Sequence, residues 1–584
     1  MTTVIDTSPV GLIPKPDVGL PVQPKSLSSP ATKGATTLVT PTPDISGSHT
    51  PRDDALPNPS THAHTGSHES ISTWSERQWV SSAYHPSVYV FIFVNPKSGN
   101  QVGRQLTDLP YQHFRLKSNH NVQIQWYNLF DEPEKQKGIS YLLWLQKAQA
   151  RVDKLRSAAS PPSHSTHPSR TNRPTSQDTC LRPIEIHIWS AGGDGTVMTV
   201  YDHLHQAGID FSKVYFSCIP FGTGNDFSQA LGWGKTVESN FVGNHLISLC
   251  KITEARLDGD MALLDIWDIE IETFEGGFIQ KAQKKAEPGP KLDKLATRMC
   301  SYFAMGVQGY VGAGFEANRK RTRTHNFFQY FVESLKWVVF RKFPSVTEIL
   351  KSITRDGQEI LVTREPTEPK KNLSEKTTAA TADSPKEGPD TPATLVIHPV
   401  EIVIQNIPHI WGREIDLWGE AAQRPGVVEN RQGFTDPTHW QEQLSGDGKL
   451  EIFGFKDVLA YVHQLLHPSG QLARLGQIED HFELNFRHPP STSGTEQGSG
   501  TGWFRNLRRE SNVLGETCIF VDGEFYRLYM PKVIRFRKKE SLRAIGSSAQ
   551  TSRLVRDATK LPSAPPPPVQ LRGSIGSPPP SAHL

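Results

Sequence analysis

Cysteine is scarce in this chain. Its 584 residues hold five, Cys180, Cys218, Cys250, Cys300 and Cys518, with no C-x-x-C pair among them. That spacing excludes a zinc ribbon or a paired redox centre and favours a reducing, intracellular compartment. Long apolar runs are missing too: the most apolar short run, Tyr89–Val94, is far below the ~20 residues a membrane-crossing helix needs. Met1 to Leu20 lacks a cationic start followed by an apolar stretch and is interrupted by Pro9, Pro14 and Pro16, so no secretory leader is expected. Nor does one sign of charge dominate. Lys+Arg total 63 against 60 Asp+Glu, a net +3, which argues against a histone-like or ribosomal role. No nucleic-acid partner is expected, and any basic face must be local.

Glycine and proline, by contrast, are abundant at 45 each. A prior of ~150 residues per domain would allow about four domains, but this composition suits two packed domains with polar, Pro-rich interruptions. Residues 1–80 have too few large apolar groups to offset the entropy of ordering and are read as a disordered arm. His62, His64 and His68 fall in that arm and are read as part of a solvated tract rather than a metal site. The same signature marks 157–179, 281–290, 366–389 and 489–502 as disordered insertions and 547–584 as a disordered tail.

Between these stretches the pattern is that of layered structure. Val88–Val94 is a continuous apolar run ending at Asn95-Pro96, as in a strand buried on both faces of a parallel sheet. Val122–Tyr127, Ile184–Trp189 and Val214–Ile219 read as further strands, and Thr196–Gln206 and Asp226–Leu231 as helices that open just after Gly-rich turns. Strand, glycine turn and helix in repeated order predict an α/β domain over 85–250. Past Arg256 short strand-like runs replace helices (Ala262–Glu272, Tyr302–Val307, Glu401–Asn406, Leu450–Phe455, Phe482–Phe486, Cys518–Val521), predicting a β-rich domain over 255–540.

Three glycine-bearing turns each follow a predicted strand: Asn95-Pro-Lys-Ser-Gly99, Gly192-Gly-Asp-Gly-Thr196 and Pro220-Phe-Gly-Thr-Gly-Asn-Asp226. Glycines let backbone approach a ligand, and exposed N–H groups at a helix start form an anion-binding concavity. One such turn is more often ordinary loop chemistry; three in one α/β domain point to a polyphosphate site. Asp194, Asn225 and Asp226 add polar groups suited to a metal-bound nucleotide. Better-known signatures fail. Gly234-Lys235-Thr236 resembles the end of a Walker A loop, but the glycine required five positions earlier is Gln229. Gly222-Thr-Gly224 would need glycine at Phe227 to complete a dinucleotide fingerprint, and no His-Arg-Asp or Asp-Phe-Gly triplet exists.

In their order and spacing these motifs resemble the diacylglycerol kinase superfamily of lipid kinases, and over Thr196–Leu204 and Ile219–Phe227 they look closer to its eukaryotic diacylglycerol kinases than to sphingosine or ceramide kinases. The likeness covers residues 88–250. Ser301–Val307 with Gly314-Phe315, Ile404–Pro408 with Leu417-Trp-Gly419, Gly446–Leu450 and Val521-Asp-Gly-Glu524 resemble the same enzymes' accessory domain. No Cys/His-rich zinc module of the kind found in many animal relatives stands before the catalytic region. The resemblance implies a nucleotide-binding α/β lobe followed by a β-rich accessory lobe, with the active site in the cleft between them. It also implies ATP and Mg²⁺ as cofactors, phosphoryl transfer to diacylglycerol to give phosphatidic acid, and a cytoplasmic enzyme peripheral on membranes. Asn95, Ser98, Gly99, Gly192, Gly193, Gly195, Thr196, Gly222, Thr223, Gly224 and Asn225 would then bind the nucleotide. Asp194 and Asp226 would orient phosphate and metal, with Asp194 as metal ligand, and Asp447 would be the general base.

Two positions depart from the family pattern: Gln229 stands where relatives commonly carry arginine, and Ser445-Gly446 where an acidic residue often precedes the aspartate. For Asp447 the competing reading is a residue that only shapes a Gly446-Asp-Gly448 turn. Asn326–Phe343 mixes aromatics with cations, as an interfacial helix or a helix packed on the accessory sheet would. Arg319–Arg323, Arg505–Arg509 and Arg535–Lys539 are clusters able to meet anionic lipid. The Pro-rich arms offer sites for protein partners. Two alternatives stand beside the diacylglycerol kinase: a kinase for a sphingoid base or other lipid alcohol, and a catalytically weak scaffold that binds nucleotide or membrane.

Overall fold

The computed structural model describes residues 85–561 except 100, 160–181, 223, 239–240, 285–287, 319–327, 330–331, 338–342, 365–390, 422–425, 467–471 and 489–514. The first apolar run forms β1 (Val88–Val94), buried at every position. Its side chains alternate between two cores, Tyr89, Phe91 and Phe93 entering one and Val88, Val90, Ile92 and Val94 the other. After it come α1 (Val102–Thr107), β2 (His113–Arg115), β3 (Val122–Asn128), α2 (Glu132–Ala159) and β4 (Glu185–Gly192). Then follow α3 (Asp194–Gln206), β5 (Tyr215–Pro220), α4 (Asp226–Ala230) and α5 (Gly243–Leu257). β3, β1, β4 and β5 are neighbours and parallel, with β2 antiparallel on β3. α2 and α3 fill one core; α1 and α5 fill the other. Both faces of the sheet are covered, which is why its strands read as apolar runs rather than alternating ones.

The second half is β-rich. It begins with β6 (Asp260–Lys281), β7 (Lys291–Leu292), β8 (Lys294–Met299), β9 (Tyr302–Gly306) and α6 (Val307–Ala317). β10 (Leu350–Arg355), β11 (Gln358–Thr363), β12 (Ala393–Leu395) and β13 (Glu401–Gln405) follow. A small hairpin of β14 (His409–Ile410) and β15 (Arg413–Glu414) leads to α7 (Leu417–Glu420) and β16 (Val428–Glu429). The chain closes with β17 (Lys449–Phe455), α8 (Val458–Leu466), β18 (Leu472–Glu479), β19 (His481–Phe486), β20 (Glu516–Val521), β21 (Glu524–Gly546) and α9 (Arg553–Ala558). β20, β9, β13, β17 and β18 run antiparallel in that spatial order.

β6 and β21 pair antiparallel over almost their whole length, and the end of β21 lies parallel to β5 through Ala544 and Phe216. This ribbon joins the two halves into one sheet. Its base contributes Ala262, Leu264, Ile266, Leu542 and Ala544 to the first core, while Trp267, Ile269 and Ile271 enter the accessory core. An α/β lobe followed by a β-rich region is what the alternation of glycine turns and then short strands had predicted.

Several expectations are corrected. The segment 547–584 is not uniformly a tail: α9 inserts Leu554, Val555 and Ala558 into the first core, held by its Ser552 N-cap. Its few apolar residues at helical spacing were outweighed by the Pro-rich sequence after it. Around 281–290, Lys281 ends β6 and Gln280 Nε2 donates to the Gly289 carbonyl at 2.7 Å, so a connection between strands replaces the expected insertion where residues are described. In the 326–343 segment Trp337 and Phe343 stack at 4.9 Å against Tyr310 of α6, which supports packing on the accessory lobe; Phe328 and Leu335 are exposed. Within 535–539, Arg535 pairs with Glu272 of β6 and Glu483 of β19, Lys538 with Asp265 and Lys539 with Asp268, so those cations have acidic partners within the fold. The arm 1–80 and the clusters Arg505–Arg509 and Arg319–Arg323 lie outside the described residues. Among the described residues no helix is long and apolar enough to cross a membrane.

Candidate functional site

The three glycine turns sit at the C-terminal ends of β1, β4 and β5, which are adjacent, so they meet by topology. Asn95 N–H donates to the Ala191 carbonyl (2.9 Å) and Asn95 Nδ2 to Thr196 Oγ1 (3.2 Å), joining the first turn to the second. Phe221 N–H and Gly222 N–H both donate to the Gly192 carbonyl, at 2.9 and 3.1 Å, joining the second to the third. Gly99 has φ +55° and a Cβ there would lie 1.9 Å from the Phe221 carbonyl oxygen, so the first turn also rests on the third. A Cβ at Gly222 would lie 2.4 Å from Gly193 Cα. Backbone meets backbone there, and a side chain at Gly222 would force the two turns apart.

Asp194 opens α3, yet its carboxylate serves α4: Oδ2 accepts from Asp226 N–H (3.1 Å) and Oδ1 from Phe227 N–H (3.0 Å). Asn225, at φ 56°, clasps the third turn, its Oδ1 accepting from Gly222 N–H at 3.1 Å and its Nδ2 donating to the Gly222 carbonyl at 2.9 Å. Gln229 Nε2 donates to the Gly224 and Asn225 carbonyls (3.0 and 3.2 Å), so this departure from the family pattern braces the turn. Thr223 lies outside the described residues.

The β14–β15 hairpin closes over this centre. Asp226 Oδ1 accepts from Gly412 N–H at 2.7 Å, and Lys235 Nζ donates to the Gly412 carbonyl at 3.1 Å. Burial and then the Asp194 charge push the Asp226 carboxyl well above its usual range, opposed by Gly412 N–H and Lys235; burial raises Asp194 against several backbone donors. An ideal Cβ on Gly224 would sit 3.2 Å from Asp194 Oδ2 and 3.9 Å from Asp226 Oδ2, so both carboxylates face the same glycine. Two acids that disfavour each other's ionisation are the donor set a divalent cation would relieve. No group of three or more ligating side chains occurs among the described residues.

Asp447 stands elsewhere. Its loop is seated on β6 through Gly448 N–H, which donates to Asp265 Oδ2 at 2.6 Å, and through Ser445 Oγ, which donates to the Leu263 carbonyl at 2.8 Å. Asp447 Oδ1 accepts from Lys449 N–H (3.0 Å), as in a turn, but its Oδ2 is buried without a partner. Burial lifts the carboxyl to about 6, opposed by Lys449 N–H and aided by the Asp265 charge. The described contacts of Asp447 thus run to its own turn and not to the glycine turns.

Two residues here were not singled out from the sequence. Lys235 belongs to the false Walker A match, yet its Nζ donates to the Gly412 carbonyl and its charge opposes the rise of the Asp226 carboxyl. Asp522, in the Val-Asp-Gly-Glu motif, accepts from Cys300, Ser301 and Tyr302 N–H (2.6, 3.0 and 2.9 Å). Its following glycine, Gly523, is at φ +90°, and a Cβ there would lie 3.4 Å from Gly195 N, so this turn abuts the second glycine turn. Burial raises the Asp522 carboxyl to about 6.

Comparison with known sequences points to one family. Residues 145–254 match the diacylglycerol kinase catalytic domain and 298–524 the diacylglycerol kinase accessory domain. The first match begins within α2, so Asn95, Ser98 and Gly99 precede it, while Asp447 and Asp522 lie inside the second. The chain is 23% identical over 283 residues to "Probable diacylglycerol kinase 3" of Caenorhabditis elegans (47% of this chain, 30% of that protein). It is 25% identical over 254 residues to "Diacylglycerol kinase 4" of Arabidopsis thaliana (40% and 45%), and 26% identical over 162 residues to "Diacylglycerol kinase 2" of that plant (27% and 20%). The aligned portion spans less than half the length of each of these relatives.

Proposed function

This chain belongs to the diacylglycerol kinase family, and on that premise we propose that it transfers the γ-phosphoryl group of ATP to the free hydroxyl of diacylglycerol, giving phosphatidic acid. The observation that carries the proposal is the convergence of three glycine turns on one pair of aspartates. Phosphoryl transfer asks the protein chiefly to position reactants and to neutralise charge. Ser98, the Gly99 and Gly193 backbone, Gly195, Thr196 and Gly222 line the phosphate cradle in this reading, with Asn95, Gly192, Gly224 and Asn225 fixing its shape.

Asp194 and Asp226 would hold Mg²⁺, which would supply positive charge to offset that of the phosphates. Asp194 keeps α4 in place through its two backbone contacts, so its remaining lone pairs face a fixed direction. Gly412 N–H and Lys235 partly balance the two carboxylates, and Asp447 Oδ2, free of a partner, takes the proton of the attacking hydroxyl. The lipid side demands contact with a bilayer surface, made transiently by a chain that needs no spanning helix.

The test is incubation of the purified chain with Mg-ATP and vesicles carrying diacylglycerol, a sphingoid base or ceramide. Phosphatidic acid as the main product is expected. A phosphorylated sphingoid base as main product would reassign the acceptor, and no phosphorylated lipid at all would leave a nucleotide- or membrane-binding scaffold.

A further inference from the structure

The face of the accessory sheet that continues from Asp522 carries a row of buried polar side chains. β13 and β17 are in register with Gln405 opposite Glu451, and β17 and β18 with Glu451 opposite Gln477. Neighbouring positions on the same strands, Ile404, Leu450 and Ile452, point into the apolar core behind. Gln405, Gln443 and Glu451 are fully buried and His409 nearly so (2% exposed). Burying polar groups costs on the order of 1–3 kcal/mol each unless they are paired, so such a row should be closely bonded.

It is only half bonded. Gln477 Nε2 donates to Glu451 Oε1 (2.9 Å) and Gln405 Nε2 to the His409 carbonyl (3.3 Å). Glu451 Oε2, Gln405 Oε1, His409 Nδ1, both polar atoms of Gln443 and Asp447 Oδ2 have no partner. Gln443 reaches towards Glu451 without closing a bond of good geometry, and Asp447 is near enough for its charge to act there. Burial, and then that charge, push the Glu451 carboxyl well above its ordinary range, which favours its acid form. Two of these unpartnered atoms can donate, Gln443 Nε2 and, in its acid form, Glu451 Oε2, and they accompany the acceptor Asp447 Oδ2.

Resting on the reading above, we propose that Gln443 and Glu451 form the receptor for the ester carbonyl oxygens of the acceptor glycerolipid and so present its hydroxyl to Asp447 Oδ2. The receptor favours an ester-linked glycerol over alcohols lacking carbonyl groups beside the hydroxyl. Gln443 and Glu451 act as positioning residues for the attacking hydroxyl.

The test compares dioleoylglycerol with its diether analogue, which keeps the hydroxyl and chains but has no carbonyl, in phosphatidylcholine vesicles with Mg-ATP and the full chain. The native protein should favour the ester by about 10-fold or more in kcat/KM, because a site built to bond a group discriminates against its absence. Gln443→Leu should reduce that preference to about 2-fold with the KM for ATP unchanged, whereas Glu451→Gln, whose amide still donates, should keep it. Equal rates on ester and ether by the native chain, as a row occupied only by water would give, overturn the receptor alone. Undiminished ester preference in Gln443→Leu also overturns it. Phosphorylation of neither lipid overturns the receptor together with the kinase reading. The native ester-to-ether ratio decides even where the leucine variant does not fold.

Discussion

Replacing Asp447 by asparagine separates a proton acceptor from a turn residue. The amide oxygen can still accept from Lys449 N–H, which the carboxylate does at 3.0 Å, so the Gly446–Gly448 loop should keep its seat on β6. The unpartnered Oδ2 becomes an amide nitrogen that takes no proton. A positioned general base contributes about 10²–10⁴-fold, so kcat on diacylglycerol should fall by that factor with little change in the KM for ATP. The native carboxyl titrates at about 6. Only its ionised form accepts a proton, so kcat/KM should rise with pH through that value and level off above it. Asp522 also titrates at about 6, which makes the variant's profile decisive. Initial rates of phosphatidic acid formation from labelled ATP between pH 5 and 8 (roughly one unit either side of a general base's useful range), with thermal melting as the control for folding, measure both effects. A full rate in a folded Asp447→Asn chain, or an acid limb unchanged in its residual activity, would refute the assignment.

Leu554→Ala should destabilise the chain by about 2–5 kcal/mol, as for a buried leucine, whereas a residue in a disordered tail would give no change in a denaturant melt. Glu401 is buried with Oε1 accepting from Gln308 N–H at 3.2 Å and Oε2 unpartnered, and burial raises its carboxyl to about 8. The folded chain therefore holds a proton that the unfolded chain releases above the ordinary range, so this residue's contribution is complete below about 4.5 and is lost as pH rises through about 8. Glu401→Gln keeps the acceptor for Gln308 and removes the titration. It should raise stability at pH 9 (roughly one unit above the folded value) by a few kcal/mol, on the order of 4, while leaving acidic melts nearly unchanged. An identical pH dependence in the variant would contradict it.

The parallel sheet was legible because each strand is buried on two faces and each ends in a glycine turn, a local pattern that carries its own topology. Val88–Val94 and Gly192–Thr196 needed no partner to be read. The ribbon of β6 and β21 was only partly legible: β6 was read in part as Ala262–Glu272, β21 was not read as a strand, and their pairing spans residues 260 and 546 and is set by contacts distant in sequence. α9 was hidden by the Pro-rich composition after it, although Leu554 and Val555 stand at core positions. Within the site, Asp194 and Asp226 came from their glycine neighbours. Lys235 did not, because the only local pattern around it is a false one, and its role arises from the β14–β15 hairpin folding back onto the third turn. The row of Gln405 and Glu451 was equally silent, since single polar residues in apolar strands reveal a site only when the strands are in register.

The account rests on the three turns forming one phosphate cradle, and calorimetric titration of Mg-ATP into the native chain and into Gly222→Ala tests that most directly. The added methyl would lie 2.4 Å from Gly193 Cα and 2.6 Å from Asn225 Oδ1, forcing the second and third turns apart. Saturable one-to-one uptake by the native chain, weakened by about 10-fold or more in a variant that still melts cooperatively, is the expected result. No uptake by the native chain, or equal affinity in the two, would contradict it.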